Sequence, residues 1–329
     1  MKSLYETLDE YSKTDTYPYH MPGHKRRIFG EMPLDIARLD ITEIPGFDNL
    51  HHPEDILKKM MQRAAKLYGA DETFYLVNGS TSGILSAISA AIPFGGHLLM
   101  TRNCHKSAYH AAYLRQLKLS YIYPSLIANA EIAEAVTPEE VEEALKKHPD
   151  ADGVLIVSPT YEGRVADVRR IADIVHRRAI PLIVDEAHGA HLGWDQSLGC
   201  NSIQAGADLV IHSVHKTLPA MTQTALIHVR GELVQREILK RYLQIYQTSS
   251  PSYVLMASIE NALNIMEREG QTLLQKLECN FRGMIKRLRA QCSNLEFLIP
   301  EEENRDYYPR QDIGKLLICS GKTDVSGQT

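Results

Sequence analysis

Between Thr73 and Val229 the chain alternates short continuous apolar runs with longer stretches whose apolar residues recur every three to four positions. Thr73–Val77, His97–Met100, Leu119–Tyr123, Gly153–Val157, Ile180–Val184, Leu209–Ile211 and Thr224–Val229 are of the first kind and are predicted as strands. A run such as Gly153-Val154-Leu155-Ile156-Val157 has no polar face, as expected of a strand covered on both sides. Helices are predicted between them, over Ile84–Ala91 and Ala108–Leu117. Another starts at Thr137, where Pro138 takes the first helical position and Glu140 completes a capping box, and runs to His148. Asp167 caps a helix with Val168, Ile171, Ile174 and Val175 inward. Upstream, Pro53 opens a helix with Glu54 and Asp55 at the positive end of its dipole. Its apolar stripe is Ile56, Leu57, Met60, Met61, Ala64 and Leu67, and Gly69 ends it. This alternation predicts an α/β fold with a mainly parallel sheet.

The flanks read differently. Residues 3–13 form a short amphipathic helix candidate on Leu4, Leu8 and Tyr11, and 17–27 and 40–52 are irregular loops rich in histidine, glycine and proline. From Glu232 the texture changes to helices at about 232–247, 251–269 and 271–291, with Gly270 separating the last two. Leu295–Ile299 and Lys315–Cys319 are predicted strands of a second domain. The division is therefore 1–52, an N-terminal helix and loops; 53–250, a large domain; and 251–329, linking helices and part of a small domain.

Polar residues collect where predicted strands end: 78–83, 102–107, 158–163, 185–191 and 213–217. In open α/β sheets ligands bind beyond the carboxyl ends of strands, so these clusters can converge on one crevice. Composition narrows the partners. With 329 residues, 44% of them hydrophobic, and a net charge of −5, nothing attracts nucleic acid or an anionic membrane. Five scattered cysteines form no C-x-x-C pair and read as reduced thiols of a cytoplasmic protein. Neither a signal peptide nor a run of membrane-spanning length is expected.

Two constellations compete for the crevice. His20, His24, His51, His52, Asp185, His188 and His191 could ligate a metal in a hydrolase, but that leaves Lys216 without a role. The alternative is pyridoxal phosphate, which requires a lysine for its Schiff base, an acid for its ring nitrogen and an anion site for its phosphate. Lys216, between two strands, supplies the first, and Asp185, at the end of an apolar strand, the second. Ser80, Thr81, Ser213 and His215 can supply the third. Asn78-Gly79-Ser80-Thr81-Ser82-Gly83 joins strand to helix, a geometry that receives anions, although Ser80 or Thr81 could equally be a plain helix cap.

Several motifs, taken in order, resemble the Orn/Lys/Arg decarboxylase family of pyridoxal-phosphate enzymes over nearly the whole chain. They are His20-Met21-Pro22-Gly23-His24-Lys25, Asp40-Ile41-Thr42-Glu43, Pro45-Gly46-Phe47-Asp48-Asn49-Leu50-His51 and Asn78-Gly79-Ser80-Thr81-Ser82-Gly83. Cys104-His105-Lys106-Ser107, Asp185-Glu186-Ala187-His188-Gly189 and Ser213-Val214-His215-Lys216-Thr217 follow. The resemblance implies a fold-type I large domain with the start of a small α/β domain, and decarboxylation of arginine, lysine or ornithine to a polyamine precursor. It implies that Lys216 holds the cofactor, Asp185 pairs with its ring nitrogen, His105 stacks on the ring and His188 lies beside it. Ser80, Thr81, Ser213 and His215 would hold the phosphate, and Lys216 or His215 would reprotonate the α carbon. It also implies a homodimer or higher homo-oligomer.

Other pyridoxal-phosphate chemistry, by an aminotransferase or a lyase, remains open at this point. Members of the family continue beyond the position of Thr329, so most of the small domain and the domain after it are expected to be absent. A chain ended there is expected to bind cofactor yet to turn over weakly, or to be inactive.

Overall fold

The computed structural model describes residues 47–127, 132–195, 198–298, 310–320 and Thr323. The helix expected at 3–13, the loop at 17–27 with His20 and His24, and residues 40–46 lie outside them. The chain runs through α1 (Ile56–Tyr68), β1 (Glu72–Leu76), α2 (Gly79–Ala91), β2 (His97–Thr101), α3 (Lys106–Arg115) and β3 (Lys118–Ile122). A small pair, β4 (Leu126–Ile127) and β5 (Ile132–Ala133), leads to α4 (Pro138–Lys147), β6 (Gly153–Val157), β7 (Arg164–Val165), α5 (Val168–His176) and β8 (Leu182–Asp185). Next come β9 (Leu209–His212), the single turn α6 (Val214–Thr217), β10 (Ala225–Val229), α7 (Arg236–Tyr246) and α8 (Tyr253–Gln291). Three short strands follow, β11 (Glu296–Phe297), β12 (Arg310–Gln311) and β13 (Ile318–Cys319).

Seven strands form one sheet in the order β1-β10-β9-β8-β6-β2-β3. From β9 to β3 every pairing is parallel, while β10 runs antiparallel to both β9 and β1. Alternation along the strands divides the apolar runs between two cores. Val154, Ile156, Leu182, Val184 and Val210 face one core with α1, α4, α5 and the first half of α8. Leu155, Ile183, Leu209 and Ile211 face the other with α2, α3 and α7. Both faces are therefore dry, which is why these strands lack a polar side.

Capping follows the sequence closely in places. Thr137 Oγ1 accepts from the Glu140 N–H and the Glu140 carboxylate accepts from the Thr137 N–H, completing the expected capping box. Asp167 caps α5 through the Arg170 N–H.

Three expectations are corrected. The first helix begins at Ile56, not at Pro53, because the Asp48 carboxylate accepts the N–H groups of Glu54, Asp55 and Leu57 from outside the helix. Its inward face is Leu57, Met61, Ala64, Ala65 and Tyr68, and Ile56 is exposed. The helix after β1 starts at Gly79, several residues before Ile84, with Asn78 at its cap position. Finally, Gly270 does not separate two helices. α8 is continuous for 39 residues, with Ile259, Leu263, Met266 and Leu274 packed on the core around that glycine. A glycine inside a helix costs about 1 kcal/mol against alanine, less than burial of this stripe returns.

The expected strands near 295–299 and 315–319 shrink to the antiparallel pair β11–β13. The strand β12 turns back and pairs with β7, returning residues 310–315 to the mouth of the large sheet.

Candidate active site

Asp185 is the last residue of β8 and is buried. Its Oδ1 accepts the Ala187 N–H at 3.1 Å. Burial raises its pKa; the Lys216 charge, the Ala187 N–H and His105 oppose that without overcoming it. Glu186 is almost wholly buried and joins a different set of partners. Its carboxylate accepts the Ser202 hydroxyl at 2.6 Å and His212 Nε2–H at 2.7 Å. His212 Nδ1 then meets His228 Nε2 at 3.0 Å, and His228 Nδ1 meets Thr73 Oγ1 at 2.7 Å. This chain runs from the residue after β8 across β9 and β10 to β1, neighbours in the sheet.

Lys216 sits on α6, in the connection between β9 and β10, as the sequence predicts. Its Nζ lies 3.2 Å from His188 Nε2. Burial lowers the lysine pKa, Asp185 pulls it back up and Lys315 pushes it down again. His188 is pushed down to about 3, first by burial and then by the Lys216 and Lys315 charges, so it is neutral. Its ring is met edge-on by Tyr161, centroid to centroid 5.5 Å.

His105 caps α3, its Nδ1 accepting the Ser107 N–H at 3.3 Å, and its side chain is otherwise exposed. Partial burial lowers its pKa, Asp185 raises it and Lys216 lowers it again.

The hydroxyls gather at the other end of α6. Ser213 Oγ donates to Ser80 Oγ at 2.8 Å, joining the end of β9 to the first turn of α2. Asn78 makes no side-chain cap and neither Ser80 nor Thr81 takes the cap position, so the plain-cap reading of these two residues does not hold. Thr81 is exposed in the same first turn. His215 bonds through Nδ1 to the Thr224 carbonyl at 2.8 Å and is held neutral by burial and by the Lys216 charge.

Three residues near the crevice escaped the sequence reading. Asp312, next to β12, is buried and pairs with His191 Nε2 at 2.9 Å. Lys315 places its ammonium 5.2 Å from the Tyr161 ring centroid. Tyr161 lies within the polar run 158–163, which marked the place though not the residue. Asp312 and Lys315 had no such signal, because only the return of β12 brings them to the sheet.

The histidines weighed as metal ligands are dispersed. His51 bonds the Thr248 carbonyl, His191 bonds Asp312 and His188 faces Lys216. Among the described residues no group of three or more His, Cys, Asp or Glu side chains is arranged to hold a metal ion.

Residues 2–308 match the profile of the Orn/Lys/Arg decarboxylase major domain. The chain belongs to the Orn/Lys/Arg decarboxylase family. Within that family it is 36% identical to the YaaO protein of Bacillus subtilis over 84% of this chain and 60% of that one. It is 34% identical to an arginine decarboxylase of Halalkalibacterium halodurans over 82% of this chain and 56% of that one. The chain thus spans well under two thirds of the length of these relatives. Among solved structures, the Francisella novicida lysine decarboxylase LdcF superposes with a TM-score of 0.74 at 20% identity, over 91% of this chain and 46% of that one. The fold is fold type I, the architecture of pyridoxal-phosphate enzymes.

The residues at hand suit the Orn/Lys/Arg decarboxylase cofactor. A buried carboxyl, a half-buried amine and paired hydroxyls at a helix start gather where the neighbouring strands β8 and β9 end. Two buried atoms there, His188 Nδ1 and Thr217 Oγ1, lack a hydrogen-bond partner among the described residues. Buried polar groups are seldom left so, and a polar guest would satisfy them.

Proposed function

We propose that the chain binds pyridoxal phosphate through Lys216 and removes the α-carboxyl group of a basic amino acid, arginine, lysine or ornithine, to yield a polyamine precursor. The observation that carries this reading is the contact of Lys216 with His188, with Asp185 at the end of the neighbouring strand and the Ser80–Ser213 hydroxyl pair before the same turn. When bound, the cofactor supplies an electron sink for the pair left behind as carbon dioxide departs. Lys216, whose pKa burial lowers, is the nucleophile that retains the cofactor. Asp185 would hold a proton at the ring nitrogen, since an adjacent carboxylate favours the charged form. Ser80, Thr81, Ser213 and His215 would bind the phosphate, with the first-turn N–H groups of α2 contributing. His105, exposed at the mouth, would cover the ring, and His188 would lie beside it as a neutral partner. Lys216 or His215 returns a proton to the α carbon.

In the same reading the protein works in the cytoplasm as a homodimer or higher homo-oligomer. Its five cysteines are all free, as a reducing compartment favours. No helix among the described residues is long and apolar enough to cross a membrane.

The test is release of carbon dioxide from carboxyl-labelled arginine, lysine and ornithine by the cofactor-loaded chain, beside Lys216→Ala. Release from one or more of the three, abolished in the variant, is the expected result. Amino transfer or elimination without carbon dioxide would replace the decarboxylase reading with one of those chemistries.

A further inference from the structure

Residues 310–315 form a strap returned to the large sheet. β12 pairs with β7, the Asp312 N–H donates to the Gly163 carbonyl at 2.7 Å, and Gln311 Oε1 accepts from Arg164 at 3.1 Å. Asp312 and His191 lock it from below at 2.9 Å, both almost wholly buried. The fit at its crossing is close. A Cβ on Gly163 would come within 2.8 Å of Lys315 Cβ and Cγ, and Gly163 has a φ of +90°. A side chain there would therefore displace Lys315.

What the strap delivers is a cation. The Lys315 ammonium lies over Tyr161, Tyr161 meets the edge of His188, and His188 Nε2 is 3.2 Å from Lys216 Nζ. Among the described residues Lys315 makes no ion pair with a carboxylate, and Asp312 turns its Oδ1 to His191 and the Gly314 N–H instead. Asp312 feels that charge without pairing to it, so the ammonium acts on both Asp312 and Lys216 in surroundings where screening by water is reduced.

We propose that Lys315 is a positioning residue for Lys216, held by the strap so that a second ammonium at the crevice keeps the Lys216 amine in its neutral, nucleophilic form. A neutral amine has the lone pair that attacks an aldehyde carbon. The C=N bond then forms, and the carbonyl oxygen leaves as water with both amine protons. A neighbouring cation favours that neutral form as it does in other enzymes with activated lysines. The groups facing Lys216 are Asp185 from β8, His188 beyond it, His105 at the start of α3, His215 on its own turn and Lys315 on the strap. Asp185 opposes neutralisation, the histidines are lowered and so largely neutral, and among the described residues Lys315 is the group that favours it by charge.

The inference rests on the reading of Lys216 as the condensing amine, but its test needs no turnover. In the cofactor-free full chain, trace acetylation across a pH series, followed by peptide mass spectrometry, gives the titration midpoint of Lys216. Lys315→Met should raise that midpoint by about one pH unit and cut the reactive fraction near neutrality about tenfold. Lys315→Arg should keep the wild-type midpoint, which a purely structural role does not require. Lys315→Glu should move it further up, and serves where the methionine variant folds poorly. Identical midpoints in wild type, Lys315→Met and Lys315→Glu would overturn the proposal. Absence of a pyridoxyl adduct on Lys216 in the loaded protein would instead overturn the reading beneath it.

Discussion

Lys216 Nζ and His188 Nε2, 28 residues apart in the chain, stand 3.2 Å from one another. Two charges at that distance and burial repel strongly, so protonation of one disfavours protonation of the other. The histidine yields first and stays neutral. Reduction of the cofactor-loaded protein with borohydride should therefore leave a pyridoxyl group on Lys216. An adduct on Lys106, or none, would refute the assignment.

Asp185 stands at the end of a dry strand with its pKa raised by burial. Asp185→Asn keeps the shape and removes the charge that would hold a proton on the ring nitrogen. Cofactor should remain bound, while turnover should fall by at least a hundredfold, or about 3 kcal/mol of transition-state stabilisation. Near-normal turnover with bound cofactor would rule that role out.

The His191–Asp312 pair makes docking of the strap depend on pH. Burial disfavours both charges, but the pairing wins: His191 is raised above 6.5 and Asp312 lowered below 3.8. The histidine contribution is present below 6.5 and is lost as pH rises through the raised value. The aspartate contribution is present above 3.8 and is lost as pH falls through the lowered value. Exchange protection of the Asp312 and Lys315 amides, corrected for intrinsic rate, should peak between 3.8 and 6.5 and weaken in alkali. Asp312→Asn should flatten the alkaline limb and destabilise by on the order of 3 kcal/mol. Protection independent of pH in the wild type would contradict this.

Glu186 has three hydrogen-bond donors aimed at it, the Ser202 N–H, the Ser202 hydroxyl and His212 Nε2–H. Glu186→Ala strands all three in a dry interior. The expected loss is about 3 kcal/mol, seen as a lowered denaturant midpoint at unchanged slope. A change below about 0.5 kcal/mol would mean that the chain from Glu186 to Thr73 contributes little.

Much of the large domain was legible along the chain because its signals are local. Continuous apolar runs, a capping box at Thr137 and a cap at Asp167 act over a few residues, and strand, turn and helix sit where those residues require. Lys216 and Asp185 could be placed at strand ends for the same reason. The boundaries that moved were moved by distant partners. Asp48 delays α1 from outside the helix, and the core carries α8 through Gly270.

Which polar residues share the crevice was a question of another kind. Ser80 meets Ser213 only because β1 reaches β9 through β10, and Asp312 and Lys315 arrive only because β12 pairs with β7. Residues 133 positions apart carry no local sign of one another. Strand order and a returning strap decide such meetings, since these set distance in space, whereas propensity and pattern act only between neighbours in the chain.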